Sequence, residues 1–293
     1  MGATYATKLA GAPGVGVSVI AQGERASRLR RDGVTVNGRR YDFRVVDPSE
    51  PSTPADLLIV AVKYPAFASA LQQTQHQIGP DTVVLSLLNG TTSEDEIAAA
   101  YPQCHPLTSI TFGIDTVRQG QSVNYVSFGR IEFGEKTNIA PFTPQVRWLS
   151  RLFDTAGISN QVPPDMVKQL WWKFMINVGV NQVTAIYEAP YATVQDTASP
   201  AHELMIAAQR EVVAVAAAKG VDLTDADMVR WLGVLADLGP HQYTSMAQDV
   251  LAHRPTEVDI FAGAMVRFGA ELGVPVPVNQ YLFDTLKAKE AAW

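Results

Sequence analysis

The sequence predicts an α/β protein: an N-terminal Rossmann-like, doubly wound sheet domain followed by an all-helical domain. Three observations carry this. Up to about residue 156, short Val/Ile/Leu runs such as Leu57-Leu58-Ile59-Val60 alternate with helical stretches, the pattern of parallel strands covered on both faces. After Asp165 the strand signals stop, and apolar helical stretches are separated by Gly220, Gly239-Pro240, Pro255 and Gly273. Pro163-Pro164 stand between the two regimes, so the domains are read as 1–164 and 165–293.

Composition narrows the class. With 47% apolar and 18% charged residues over 293 positions, the chain has material for a large core. The net charge of -6, with no basic run, argues against nucleic acid as partner. One cysteine, Cys104, excludes an intramolecular disulfide and suits a reducing, cytoplasmic setting; it reads as a buried apolar side chain. No segment reaches the roughly 18 apolar residues of a membrane span, and no signal-peptide pattern opens the chain.

Taken in order, Met1 to Ala10 reads as a helix closed by Gly11 and Pro13-Gly14, and Val15 to Ile20 as a buried strand. Arg25 to Asp32 is a short charged helix. Val34 to Val46 reads as a hairpin turning on Asn37-Gly38. Leu57 to Val62 and Thr82 to Leu88 are further buried strands, each followed by a helix, Phe67 to Gln77 and Ser93 to Tyr101, the second opened by a Ser93/Glu96 capping box. Leu107 to Ile114, Ser122 to Phe128 and Arg130 to Gly134 are strands, and Pro144 to Ala156 is a helix. Helices are then expected at Asp165 to Pro190, Pro200 to Lys219, Ala226 to Leu238, Ser245 to Leu251, Thr256 to Leu272 and Asn279 to Lys289. A Gly-rich phosphate loop should open the first βα unit, yet only its tail is present. Gly2 stands where its last glycine would be, and the first strand is missing, so the chain is expected to start late.

The helix from Asp165 to Pro190 holds the main candidate site. Lys173, Asn177 and Asn181 recur at i, i+4 and i+8, and each step of four advances only about 40°, so they share one stripe. Their neighbours Trp171, Trp172, Phe174, Met175 and Ile176 are apolar, which points the stripe into an interior or a cleft. Isolated buried asparagines also serve neighbouring backbone, and a lysine can snorkel out. Lys63 and Asn89 follow strands, where doubly wound folds bind ligands. Lys63 also reads as an exposed lysine, and Asn89-Gly90 as a turn. Ser245 with Gln248 also reads as a capping box, and Glu257 as a carboxylate in a first helical turn after Thr256. The spacing of His241 and His253 suggests no metal site.

With these residues collected, the chain resembles the ketopantoate reductase family over essentially its whole length. The resemblance rests on Val62-Lys63, Leu88-Asn89-Gly90, Trp172-Lys173 with Asn177 and Asn181, and Ser245-Met246-Ala247-Gln248-Asp249 followed by Arg254-Pro255-Thr256-Glu257. It implies reduction of 2-dehydropantoate to pantoate with NADPH, for pantothenate synthesis. Lys173 would be the proton donor and Glu257 would hold Lys173 or the cofactor. Asn89, Asn177, Asn181 and Ser245 would bind substrate, and Gly2, Gln22, Lys63, Asn89 and Glu257 would border the cofactor.

Two positions depart from the family pattern. Gln22 stands where an arginine often meets the 2′-phosphate of NADPH, which opens the way to NADH unless Arg25 or Arg28 compensates. Tyr191 stands where some members place a further asparagine. The alternatives are a reductase of another 2-oxo acid on the same scaffold, or a non-catalytic nucleotide-binding protein. The apolar helical domain suggests a homodimer.

Overall fold

The computed structural model describes residues 1–293, which pack as two units: Met1–Leu88 with Thr92–Val167, and Asn89–Thr91 with Lys168–Trp293. The first unit runs α1 (Gly2–Ala10), β1 (Ser18–Ile20), α2 (Gly23–Asp32), β2 (Val34–Val36), β3 (Arg39–Tyr41), β4 (Arg44–Val46), β5 (Leu57–Val60), α3 (Phe67–Gln72), β6 (Val83–Ser86), α4 (Ser93–Ala100), β7 (His105–Phe112), β8 (Val117–Gln119), β9 (Ser122–Asn124), β10 (Arg130–Gly134), α5 (Pro144–Thr155) and β11 (Asn160–Gln161).

Its main sheet has the order β11-β10-β7-β6-β5. β5, β6 and β7 are parallel, with Leu57 opposite Val83 and Leu85 opposite Leu107, whereas β10 runs antiparallel to β7. Side chains alternate between two cores, as a sheet covered on both faces requires. Val83, Leu85 and Leu87 meet Tyr5 and Leu9 of α1 and Val146, Leu149 and Phe153 of α5. Val84 and Leu88, with Leu58 and Val60, meet Phe67 and Leu71 of α3 and Ile97 of α4, and Cys104 lies buried among them.

Several elements are shorter or differently paired than the sequence predicts. Only Ser18–Ile20 of the stretch from Val15 forms a strand, and it pairs parallel with β4 alone. No ladder joins that ribbon to the five-stranded sheet. The hairpin on Asn37 (φ 46°) and Gly38 (φ 78°) ends at Tyr41, and Arg44–Val46 leaves it for β1. Asn37 also clasps both polar backbone groups of Tyr125, which brings β9 beside β2. β8 and β11 carry no clear sequence signal, being three and two residues long.

The second unit is helical: α6 (Met166–Ile176), a π-helical turn at Asn177–Asn181, α7 (Gln182–Tyr187), α8 (Ala192–Gln195), α9 (Pro200–Ala218), α10 (Asp225–Asp237), α11 (Ser245–Leu251), a 3₁₀ turn at Val258–Ile260, α12 (Ala262–Leu272) and α13 (Pro277–Ala291). The single long helix predicted to Pro190 is therefore interrupted, and ends at Glu188 in a left-handed conformation. Carbonyls in the π turn find side-chain donors: Gln182 Nε2 donates to Val178 O at 2.8 Å and Thr184 Oγ1 to Val180 O at 2.7 Å. Trp172 is fixed by donation from Nε1 to Asp227 O at 3.0 Å and by the Arg230 guanidinium over its ring. Thr256 opens no helix; its hydroxyl accepts from Val258 N and donates to Glu290, and the helix predicted from it begins only at Ala262. No helix is long and apolar enough to cross a membrane.

The predicted Ser93/Glu96 capping box does not form. Thr92 is the N-cap of α4 and its hydroxyl donates to Glu96 at 2.7 Å, while Ser93 donates to Glu94. Glu94 is buried, and desolvation lifts its carboxyl above the usual range against the opposing hydrogen bonds from Ser93 and Ser109 N. A carboxyl held more tightly protonated in the folded chain than in the unfolded one contributes stability in acid, lost as pH rises through the folded pKa. Glu94→Gln, which stays neutral, should melt above wild type at mildly alkaline pH. The advantage should shrink toward the ordinary glutamic acid range. Thermal unfolding of both proteins across that window checks it.

Candidate active site

In the second unit a line of side chains runs from a carboxylate into the π turn. Asn89 Nδ2 donates to Glu257 Oε2 at 2.9 Å, Asn177 Nδ2 to Asn89 Oδ1 at 3.5 Å, and Asn181 Nδ2 to Asn177 Oδ1 at 3.4 Å. Each carboxamide points its N–H toward the next acceptor, so the amide dipoles add in the direction of the anion. Asn177 and Asn181 are buried, while Asn89 and Glu257 are half-buried. Asn89 follows the end of β6 after Leu87-Leu88, and the chain turns away at Gly90, whose φ of 100° is in the left-handed region that favours glycine. Asn89-Gly90 is thus a turn, as read from the sequence, and also carries a candidate site residue.

Lys173 lies one helical turn before Asn177, half-buried, on α6. The π turn alters the predicted stripe. An α-helical step of four advances about 40°, whereas a wider i→i+5 turn brings Asn181 back over Asn177.

Ser245 is exposed at the first position of α11. The capping role predicted for it belongs to Thr244, whose Oγ1 accepts from Ala247 N at 3.1 Å and shares a 2.7 Å hydrogen bond with Thr184 Oγ1. Gln248 turns instead to Tyr243 O. Glu257 lies outside any α-helix, at the head of the 3₁₀ turn, so helix-dipole stabilisation in an α-helical first turn does not explain it.

In the first unit, Gly2 opens α1. A Cβ there would stand 3.1 Å from Ala61 Cβ, so glycine permits the close approach of helix to the end of β5. Gln22 is the N-cap of α2, extended and exposed, without a side-chain cap bond. Lys63 is exposed and heads the short 3₁₀ turn after β5. Arg118, on β8, has no counterpart in the sequence reading. Partial burial, then the charges of Arg118 and Arg28, lower the exposed Arg25 guanidinium from its ordinary value. Burial and then Arg118 likewise lower the Met1 amino group, which puts the start of α1 near Arg118. Arg28 has Glu24 as an exposed partner at 3.2 Å. Like charges gathered beside a helix N-terminus suit phosphate groups. The local sequence carries no signal for Arg118, because it comes from a hairpin some ninety residues after α2.

A Rossmann-like sheet with this cationic corner, followed by a helical unit carrying a lysine and a carboxamide line, is the architecture of a class of two-domain oxidoreductases, and the relatives place the chain in it. The family description "Ketopantoate reductase PanE/ApbA" matches residues 1–138, and "Ketopantoate reductase PanE/ApbA C terminal" matches residues 165–290. The chain belongs to the ketopantoate reductase family. A 2-dehydropantoate 2-reductase of Pyrobaculum aerophilum is 32% identical over 205 residues, covering 69% of this chain and 68% of the relative. A PanE/ApbA family ketopantoate reductase structure from Ralstonia eutropha JMP134 is 26% identical, with 98% and 94% of the two chains covered and a TM-score of 0.81. A D-mandelate dehydrogenase complex with NADH and anilino(oxo)acetate shares the fold at 24% identity and a TM-score of 0.88, covering 100% and 96%.

Thr244→Val removes both the N-cap and the Thr184 hydrogen bond. It should cost about 1–2 kcal/mol of stability, measurable by chemical denaturation.

Proposed function

We propose that this chain reduces 2-dehydropantoate to pantoate with NADPH, a step of pantothenate synthesis. The observation that supports it most is the Glu257–Asn89–Asn177–Asn181 line one turn from Lys173, in a member of this family. Ketone reduction builds negative charge on the carbonyl oxygen, which calls for a nearby cation and a proton. Bound NADPH supplies the hydride that goes to the C2 carbonyl carbon. The Lys173 ammonium stabilises the developing oxyanion and gives it a proton, so the ketone becomes a hydroxyl. Asn177, Asn181 and Ser245 offer hydrogen bonds to the hydroxyl and carboxylate of the substrate. Asn89 reaches the same groups while Glu257 orients its amide, and Glu257 holds Lys173 or the cofactor in place.

The residues present fit a phosphorylated dinucleotide. The N-terminus of α1 with Gly2, the Arg25–Arg28–Arg118 corner, Gln22 and Lys63 would hold its phosphates and ribose; the arginines supply the charge that Gln22 lacks. A second reading, reduction of a different 2-oxo acid, draws support from Tyr191. It is half-buried, its phenol is raised by burial, and it replaces a small polar side chain with a ring. The shared fold with a D-mandelate dehydrogenase complexed with an aromatic oxoacetate points the same way.

The test is oxidation of NADPH, followed by the absorbance of the reduced nicotinamide, across a panel of 2-oxo acids. Preference for 2-dehydropantoate supports the first reading; preference for an aromatic or other branched 2-oxo acid replaces it with the second. Lys173→Ala should cut turnover by about 10²-fold or more, the share of general acid catalysis; near-normal turnover would remove Lys173 from the role. Arg25→Ala should weaken NADPH by about tenfold, roughly one charge-assisted contact, while NADH is little changed. Equal loss for both cofactors would detach the arginine corner from the 2′-phosphate.

A further inference from the structure

The π turn that stacks Asn181 on Asn177 rests against a second buried amide. Gln209, on α9, is fully buried, and neither its Oε1 nor its Nε2 has a hydrogen-bond partner. Its side chain lies on Gly179, the middle residue of the turn. A Cβ built at position 179 would stand 2.6 Å from Gln209 Cγ, 2.7 Å from Nε2 and 2.9 Å from Cδ, distances no real Cβ tolerates. Gly179 is not among the residues with positive φ, so its backbone does not require glycine. The space taken by Gln209 does.

The rest of the turn is tied by hydrogen bonds. Gln182 serves Val178 O and also accepts from Ala262 N at 3.0 Å, Thr184 serves Val180 O, and Gly179 O accepts from the backbone N–H of Gln182. The Gly179 side is held by packing. A leucine or methionine would fill this place without burying an orphaned amide, and a buried polar group without partners is a cost that calls for an explanation. π turns themselves concentrate at functional sites.

We infer that Gln209 is a positioning residue: wedged against Gly179, it holds the π turn in the register that sets the spacing of Asn177 and Asn181 for the 2-oxo acid. Asn177 and Asn181 are the first and last residues of the turn, so any change in its pitch changes their separation. This rests on the reading of those asparagines as substrate-binding groups.

Gly179→Ala pushes a methyl into the wedge, Gln209→Ala empties it, and the double variant exchanges one for the other. For all three and wild type, KM and kcat with 2-dehydropantoate, NADPH affinity, thermal unfolding and hydrogen exchange of residues 177–182 are measured. Gly179→Ala should raise KM by about tenfold, the effect of one lost substrate hydrogen bond. Its kcat and NADPH affinity should stay near wild type, and exchange across the turn should quicken. The double variant should recover toward wild type in both. Gln209→Ala alone should move KM and exchange the same way, and decides the matter where Gly179→Ala does not fold. Unchanged KM and exchange in Gln209→Ala overturn the inference. So does a parallel fall of kcat, NADPH affinity and melting temperature that the double variant fails to repair. A wild type inactive on 2-dehydropantoate sinks the proposed substrate instead, and the exchange pattern still decides the role of Gln209.

Discussion

The hydrogen bond from Asn89 to Glu257 is the contact on which the candidate site depends. It ties a residue delivered by the end of a β-strand to one lying at the head of a 3₁₀ turn 168 positions later. The short stretch Asn89–Thr91 packs with the helical unit although it is bracketed by sheet-unit residues on both sides. The carboxylate also gives the line of amides its polarity, because Asn89 must offer its N–H to Glu257 and is left with oxygen facing Asn177. A substrate replacing any member of that line would meet groups already oriented, which lowers the cost of ordering them.

The π turn does for geometry what Glu257 does for polarity. A regular helix would let the stripe of polar side chains drift by about 40° at each repeat. The wider turn cancels part of that drift between Asn177 and Asn181. It survives because Gln182 and Thr184 donate into it and because position 179 carries no side chain. Helix and site are therefore one construction: the residues that make the turn stable are interleaved with those that face the proposed ligand.

In the sheet unit the corresponding constraint is period-two burial. Val83, Leu85 and Leu87 serve one core and Val84 and Leu88 the other, so a slip of one residue in β6 would exchange every buried contact. That register carries the end of β5 to Lys63, a position of the kind where doubly wound folds meet ligands.

The sequence by itself determined the two regimes of the chain, the paired cores of β5 and β6, the Asn37-Gly38 turn and the placing of Lys173, Asn177 and Asn181 on one helical stretch. Each is written in periods of two or four residues, or in a dipeptide needing positive φ, and such signals act over one turn of chain. Only the tertiary structure decided which of two adjacent hydroxyls caps a helix. Ser245 with Gln248 fits the capping pattern, yet it is the Thr244 hydroxyl that accepts from Ala247 N. It also decided that Arg118 joins Arg25 and Arg28, that β4 leaves its hairpin for β1, and that Gln209 stands on Gly179. Those pairings join residues 26 to 93 positions apart. Close approach over such distances is fixed by packing of whole elements, which no local pattern of side chains encodes.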